Sequence, residues 1–224
     1  MKIKFKIIAT STTVFVLLGG VFGAQQYISS LITSRVEREM PKASGISASV
    51  PLADLPSNIT SDSIKRVNIN IKNFALKENG TKTSLDISAS DISKAKPTTA
   101  GSLEVTATIS ASTIAESSEF NDAQIVGNTL QVSAGLGGLG TALLIPKYSN
   151  SQLYFELQSI SVLGNQIPAS SLPTELQDQV KSRSQRSLTP PQGLTVESVS
   201  LSSKGLSVKM FGSNIQLGNL GSSL

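Results

Sequence analysis

The sequence contains no cysteine and no histidine among its 224 residues. Zinc, copper and haem sites depend largely on these two side chains, so their absence argues against a site for any of these metals. A cysteine nucleophile and a Ser-His-Asp triad are excluded, and the usual proton shuttle at neutral pH is missing. We therefore predict a non-enzymatic protein without a metal or any other cofactor.

Tryptophan is also absent, aromatic residues make up only 4% of the chain, and the excess positive charge lies at one end. The formal net charge is +4, and Lys2, Lys4 and Lys6 supply three of these positive charges. From residue 25 onward, 16 basic side chains stand against 15 acidic ones. Proteins that bind nucleic acid usually combine a basic patch with aromatic or groove-reading elements. We therefore predict no nucleic-acid partner.

The N-terminus combines a basic start with an uncharged apolar stretch. The sequence MKIKFK is followed by residues 7–24, which are 18 positions without a charge, and the next charged residue is Arg35. This pattern fits a signal peptide with a small-residue exit near VFGA, or a retained signal anchor, over residues 1–24. Both alternatives predict export, either to the periplasm and cell envelope after cleavage or as an anchor in the cytoplasmic membrane facing outward.

Residues 25–42 are predicted to form an amphipathic juxtamembrane helix. Apolar residues recur there at helical spacing, and Pro41 ends the pattern. We expect the apolar stripe to pack on the core of the following domain; a helix lying on the membrane surface is the alternative. The remainder, residues 43–224, is predicted to be a single domain with a sizeable core. The stripe consists of Tyr27, Ile28, Leu31, Ile32, Val36 and Met40.

A change to a two-residue period predicts strands in the rest of the chain. Apolar and polar residues alternate over residues 67–71 and continue on the other parity at Phe74 and Leu76. The one-residue slip at Lys72 and Asn73 predicts a β-bulge within one long bent strand. The turn sequence ENG and the alternation that follows it predict a return strand and therefore a hairpin.

Further strands and a short helix are predicted beyond this hairpin. Apolar and polar residues alternate again over residues 103–109. Ile125 and Val126 precede Gly127-Asn128, and apolar residues then recur at every second position over residues 130–134. The sequence STIAESSEF predicts a short helix with Ser112 or Thr113 as its N-cap. Two final strands are predicted on either side of a hinge at Lys204-Gly205.

The stretch SAGLGGLGTALLIP contains a G-x-G-x-x-G pattern at Gly135, Gly137 and Gly140. In a dinucleotide-binding fold the third glycine opens a helix whose N-terminus holds the pyrophosphate. Only five residues separate Gly140 from Pro146, which is too few for a crossover helix, and the residues that follow alternate like a strand. We therefore predict a flexible glycine loop or a thinned strand, and no nucleotide partner.

A second helix is predicted over the sequence SSLPTELQDQVKSRSQRSL, with Pro173 at its first helical position. The basic cluster at its end could meet anionic headgroups, but a solvated helix terminus favoured by the helix dipole is the preferred interpretation. The short apolar stripe consists of Leu172, Leu176 and Val180, and the basic cluster of Lys181, Arg183 and Arg186.

The order of these elements resembles that of the LmeA-like family of actinobacterial cell-envelope phospholipid-binding proteins. Three segments carry the resemblance: PLADLPSNITSDSIKRVNINIKNFAL, LYFELQSISVLGNQIPASSLP and TPPQGLTVESVSLSSKGLSVKMFGSNIQL. It covers residues 46–217. The resemblance implies an α+β fold whose elongated, curled, mostly antiparallel sheet packs on helix, similar to tubular lipid-binding folds. It also implies a phospholipid or another membrane lipid as partner, and no catalytic residue.

Long strands with one apolar face give a physical reason to expect lipid. Such a sheet must curl over something; a helix can fill part of the enclosed space, and an acyl chain the rest. The predicted function is non-catalytic binding or transfer of phospholipid at the outer side of the cytoplasmic membrane, supporting envelope lipid or glycolipid maintenance. The alternative is a structural or interaction protein of the envelope with a dry core, and a carboxylate hydrolase is third. The candidate lining residues are Ile71, Phe74, Leu76, Ile109, Phe155, Val208 and Phe211.

Overall fold

The computed structural model describes residues 43–75, 82–95, 97–117, 122–134 and 140–217, together with Ser30, Thr33, Ser34 and Glu37. The predicted leader over residues 1–24 and Leu76 lie outside these residues. The four separate positions fall in the predicted juxtamembrane helix and are helical, but the apolar stripe of that helix lies outside the described residues. In the described part of the chain, no helix is long and apolar enough to cross a membrane.

Strands dominate the described residues, and the helices are short. The α-helices are α1 (Leu55–Thr60), α2 (Ala111–Ser117) and α3 (Thr174–Ser184), and 3-10 turns cover Leu52–Asp54 and Ala169–Ser171. The strands are β1 (Ala43–Ser49), β2 (Ser63–Ala75), β3 (Lys82–Ser93), β4 (Thr99–Ile109), β5 (Gln124–Val126), β6 (Thr129–Ser133), β7 (Gly140–Ser149), β8 (Gln152–Val162), β9 (Asn165–Pro168), β10 (Arg186–Ser187), β11 (Thr195–Ser202) and β12 (Gly205–Gln216).

These strands form two open sheets. The first has the order β1-β2-β3-β4-β12-β11, and the second has the order β10-β8-β7-β6-β5, with β9 also paired to β8. The pairings β1–β2, β2–β3, β5–β6, β6–β7, β7–β8, β8–β9 and β8–β10 are antiparallel. The prediction of a mostly antiparallel sheet is therefore confirmed. The predicted packing of the sheet on helix is not confirmed. Leu176, in the predicted apolar stripe of α3, is exposed, and only Ser184 of that helix is buried.

Internal contacts divide the chain into two compact units. Of the described residues, unit 1 contains those within 108–189 and 198–208, and unit 2 contains those within 43–107, 190–197 and 209–217. The β5–β10 strands and α3 belong to unit 1, whereas β1, β2 and β3 belong to unit 2. The prediction of one domain over residues 43–224 stays a prediction.

The bulge predicted in the long strand of unit 2 is present. Ile71 pairs with Leu85 and Phe74 pairs with Thr83, so two residues of β2 stand opposite one residue of β3. A bulge of this kind restores the parity of the strand beyond it. Ile71 and Phe74 are consequently both buried, at 0% and 4% exposure.

The glycine pattern in unit 1 leads into a strand and not into a helix. Gly140 is the first residue of β7, where it pairs with Val162 of β8, and its carbonyl accepts the Ala134 N–H at 2.9 Å. Gly135 and Gly137 lie outside the described residues. Gly140 therefore does not open a phosphate-binding helix, as expected, whereas the absence of a nucleotide partner stays a prediction.

Two helix starts differ from their predictions. Helix α2 begins at Ala111, and the Oγ of Ser110 accepts the N–H of Thr113 at 3.3 Å, so Ser110 is the N-cap. The expected caps, Ser112 and Thr113, are wrong because the helix starts earlier than its apolar residues indicate. Pro173 is the N-cap residue of α3 rather than its first helical residue. It retains an extended backbone there, with φ −54° and ψ 139°.

The hinge predicted at Lys204-Gly205 is confirmed, because β11 ends at Ser202 and β12 begins at Gly205. Gly205 has φ +132°, a conformation that side chains with a Cβ rarely adopt. A Cβ at this position would also lie 1.9 Å from the carbonyl oxygen of Ile109. Both constraints act within unit 1 and require glycine.

We expect Gly205→Ala to destabilise the protein by about 3 kcal/mol, since it combines backbone strain with a backbone clash. Gly127→Ala is the matched control: Gly127 also has a positive φ, +63°, but a Cβ there would meet nothing within 4 Å. Strain alone predicts a cost of about 1 kcal/mol for the control. Chemical denaturation measures both, and equal losses of stability would contradict the close approach of Gly205 to Ile109.

Candidate functional site

The central strands of unit 2 have one apolar, buried face. Side chains along β2, β3 and β4 alternate between buried aliphatic residues and exposed or half-buried polar ones. None of the buried side chains in the described part of the chain is charged. An uncharged aliphatic surface is the chemistry that acyl chains require. Its members include Val67, Ile69, Ile71, Phe74, Leu85, Ile87, Ala89, Leu103 and Val105, each at most 4% exposed.

The predicted lining residues are divided between the two units. Ile71 and Phe74 lie on the buried face of β2 in unit 2. In unit 1, Ile109, Phe155 and Val208 are buried, at 3%, 8% and 4% exposure.

Phe211 differs from the other described lining candidates. It is 39% exposed and follows the buried Met210, so it projects from β12 to the face opposite Val208 and Met210. Phe211 and Val208 therefore do not share a face of the strand.

A buried hydroxyl lies next to Phe74 on the apolar face. Thr83 is the cross-strand partner of Phe74 and is only 1% exposed, and its Oγ1 has no hydrogen-bond partner among the residues that the structure describes. A buried hydroxyl without a partner costs about 1–3 kcal/mol relative to a hydrated one. Sequence alternation placed Thr83 on the inner parity but could not show that its hydroxyl lacks a partner.

Phe155 is held by a polar contact with the end of α3. The Oγ of Ser184 accepts the Phe155 N–H at 2.9 Å and lies 3.3 Å from the Phe155 carbonyl oxygen. Strand β10 pairs with β8 at Gln152 and Leu153, and β9 pairs with it only from Ser159 onward. Ser184 thus satisfies the Phe155 N–H in the gap between two partner strands of β8.

Two side chains of the basic cluster at the end of α3 make contacts with nearby residues. The guanidinium of Arg186 donates to the carbonyl oxygens of Arg183 and Gln185, at 2.9 and 2.8 Å. The Nζ of Lys181 lies 4.7 Å from the centroid of the Tyr154 ring, within cation–π range. These contacts favour the interpretation of the cluster as a helix terminus stabilised by its cations.

The opposite face of the unit 2 sheet is polar and contains a shallow groove of about 230 Å³. Across the strands, Ser88 donates to Asn68 at 2.9 Å, and Asn70 donates to Asp86. The groups that could bind a polar ligand are thus partly paired with one another. The groove is lined by Ser47, Ser49, Asn68, Ile69, Asn70, Asp86, Ile87, Ser88, Glu104 and Thr106.

One lysine joins two carboxylates on this polar face. The Nζ of Lys209 lies 3.1 Å from Glu197 and 3.2 Å from Glu104. Its hydrogen bonds to Glu197 and to Glu104 raise the pKa of Lys209 above its ordinary value. Among the described residues, no group of three acidic side chains is placed to hold a metal ion. The chemistry of this face is therefore that of a solvated, charge-paired surface.

Comparison with known protein families shows to which family the chain belongs. A family model described as LmeA-like phospholipid-binding matches residues 19–211. The chain belongs to this family. The predicted resemblance is therefore confirmed, and the family is described by phospholipid binding rather than by catalysis. No curated protein and no solved structure gives a significant match to the chain.

Proposed function

We propose that the protein binds or transfers phospholipid without catalysis, with acyl chains lying against the buried aliphatic face that includes Ile71 and Phe74. The observation that carries the proposal is the bulge in β2, which keeps these two residues on one uncharged face across the whole strand. Membership of a phospholipid-binding family identifies the class of ligand. Of the original candidates, Ile71 and Phe74 of unit 2 are described and buried, and so, taken separately, are Ile109, Phe155 and Val208 of unit 1.

The length of the strands suits an acyl chain. Strand β2 has 13 residues, which corresponds to about 40 Å of extended backbone. One leaflet of a bilayer has a hydrocarbon thickness of about 15 Å, so an acyl chain can lie along this face over its full length. An elongated sheet curled around lipid, with helix closing part of the space, is the arrangement we propose for the bound form.

The hydroxyl of Thr83 supports a lipid site rather than a dry core. A dry core gains nothing from a buried hydroxyl without a partner, and valine would fill the same volume at lower cost. A phospholipid carries ester and phosphate oxygens that accept hydrogen bonds. We propose that Thr83 donates to one of these oxygens at the end of the apolar face next to Phe74.

The site of action that we propose is the outer side of the cytoplasmic membrane, where the protein supports envelope lipid or glycolipid maintenance. The support for this location is the basic start at Lys2, Lys4 and Lys6, followed by 18 uncharged residues. A cleaved signal peptide and a retained anchor both lead to this side. The second candidate function, a structural or interaction protein with a dry core, is favoured by the low exposure of the same aliphatic residues.

Organic extraction of the purified protein should release phospholipid, which mass spectrometry identifies. We expect Phe74→Ala and Phe155→Ala each to reduce lipid per folded molecule more than they reduce the melting temperature, because the side chains border a lipid. In a dry core each truncation would cost about 3–5 kcal/mol instead. Leu144→Ala is the control, a fully buried residue of β7 outside the lining set. Large losses of melting temperature with unchanged lipid per folded molecule would favour the dry core.

Thr83→Val tests the polar end of the proposed site. The substitution keeps the shape of the side chain and removes the unpaired hydroxyl, so the lipid-free protein should be as stable as before or more stable. Lipid retained through purification should fall severalfold, because the hydrogen bond to the bound molecule is lost. Thr106→Val, on the polar face of β4, is the matched control and should leave lipid retention unchanged. Equal lipid retention in Thr83→Val and the wild type would refute the role of Thr83.

Export is tested by fusing a topology reporter to the C-terminus of the full chain. We expect a reporter that functions only outside the cytoplasm to be active, since the three N-terminal lysines keep the start of the chain inside. Replacing Lys2, Lys4 and Lys6 with glutamate should lower this activity. A reporter active only in the cytoplasm would refute the proposed location.

A further inference from the structure

The three hairpins formed by strands β5 to β9 of unit 1 are closed by two-residue turns of different composition. Gly127-Asn128 joins β5 to β6, Asn150-Ser151 joins β7 to β8, and Leu163-Gly164 joins β8 to β9. Such turns need left-handed backbone conformations, which glycine and asparagine adopt most readily. The Gly127-Asn128 turn follows this rule, whereas the Asn150-Ser151 turn places asparagine at φ +51° and serine at φ +57°. The third places leucine at φ +50° and glycine at φ +83°.

Leu163 is unfavourable in two respects. Its left-handed backbone is disfavoured for a residue with a Cβ, and its side chain is 74% exposed to water. Burial of the side chain therefore does not offset the free-energy cost of the strained backbone. Asparagine at this position would remove both disadvantages, as Asn150 does in the equivalent turn at the other end of β8. Leu163 is thus both strained in its backbone and exposed in its side chain, with no stabilising contact from the described residues in return. Such a residue indicates a function in binding another molecule.

The surroundings of Leu163 are uncharged and include a second exposed apolar side chain. Ile167 of β9 is 36% exposed and pairs with Ile160 of β8, so the two side chains share a face of the hairpin. Every residue of β9 is exposed. Residues 157–174 contain no Asp, Glu, Lys or Arg. This end of the hairpin can therefore leave water without desolvating a charge.

We propose that the tip of the β8–β9 hairpin, Leu163 with Ile167, inserts into the interfacial region of a lipid bilayer. A convex two-residue turn offers too little area for a stable protein interface, which buries about 800 Å² on each partner. A bilayer accepts a convex tip, because apolar side chains need to reach only about 5–10 Å below the headgroups. The inference rests on the proposed function for its choice of partner, since a lipid-binding protein must approach a membrane.

The tip is separate from the basic cluster of α3. Arg186 pairs with Leu153 near the start of β8, whereas Leu163 follows the last residue of that strand. Ten residues of extended strand correspond to about 33 Å. Docking through the tip should therefore depend on apolar contact and change little with ionic strength, in contrast to docking through Lys181 and its neighbours.

The chain has no cysteine, so a single introduced cysteine can carry a fluorescent probe. Asn165→Cys, next to the turn, is labelled in the full chain with an environment-sensitive dye and mixed with phosphatidylcholine vesicles. We expect a blue shift of the emission and quenching by lipids that carry a nitroxide on the acyl chain. Asn150→Cys, in the turn at the other end of β8, is the control and should stay in water. Emission from position 165 that matches this control would overturn the proposal.

Leu163→Asn, introduced into the labelled Asn165→Cys chain, separates docking from folding. The variant creates the Asn-Gly pair that this turn favours, so the melting temperature should stay the same or rise. Quenching should fall with an apparent partition roughly tenfold weaker. Leu176→Gln, which removes an exposed leucine of α3, should leave quenching unchanged. Equal quenching in Leu163→Asn and its parent would overturn the proposal.

Co-purified lipid distinguishes this inference from the proposed function. Leu163→Asn should retain lipid that was bound before purification, because the aliphatic face is unaltered. Loss of docking with lipid retained supports the hairpin tip as the membrane contact. Docking by a protein that never contains lipid would refute the proposed function and leave the insertion of the tip in place.

Discussion

Alternation of apolar and polar side chains along long strands is the constraint on which the rest of this structure depends. Successive residues of a strand point to opposite faces, so a single slip in register would move a whole apolar face into water. The bulge opposite β3 corrects the slip within β2: Lys72 and Asn73 are both exposed, and Ile71 and Phe74 are both buried. The uncharged face that we assign to lipid exists because of this local irregularity.

The two faces of the unit 2 sheet have different physical roles. The polar face is held by serine, asparagine and threonine contacts and by Lys209 between Glu104 and Glu197. Exposed pairs of this kind contribute little to stability. The free energy of burial therefore comes from the aliphatic face, and that face must either pack as a dry core or accept acyl chains. The unpaired hydroxyl of Thr83 favours acceptance of a ligand, because a dry core has no use for it.

Ser184 and Leu163 of unit 1 are both unusual for their local structure, with different consequences. Ser184 replaces a missing strand by bonding to the Phe155 backbone, which fixes α3 at the edge of β8 without an apolar stripe. Leu163 leaves a strained, exposed leucine at the tip of the β8–β9 hairpin. Ser184 satisfies a backbone group within the unit. Leu163 is not stabilised in this way by the other described residues, and insertion into a bilayer is the stabilisation that we propose for it.

Local patterns in the sequence determined the long hairpin, its bulge, the hinge at Gly205 and the family to which the chain belongs. They act over a few residues, where side-chain parity and backbone conformation decide the outcome. Side-chain parity also separates Phe211 from Val208, because they lie three positions apart on one strand. Tertiary structure alone decided that Ser184 binds Phe155 and that Lys209 joins two carboxylates. These outcomes depend on which strands become neighbours. Pairing across 29 to 105 residues of chain leaves no periodic signal in the sequence itself.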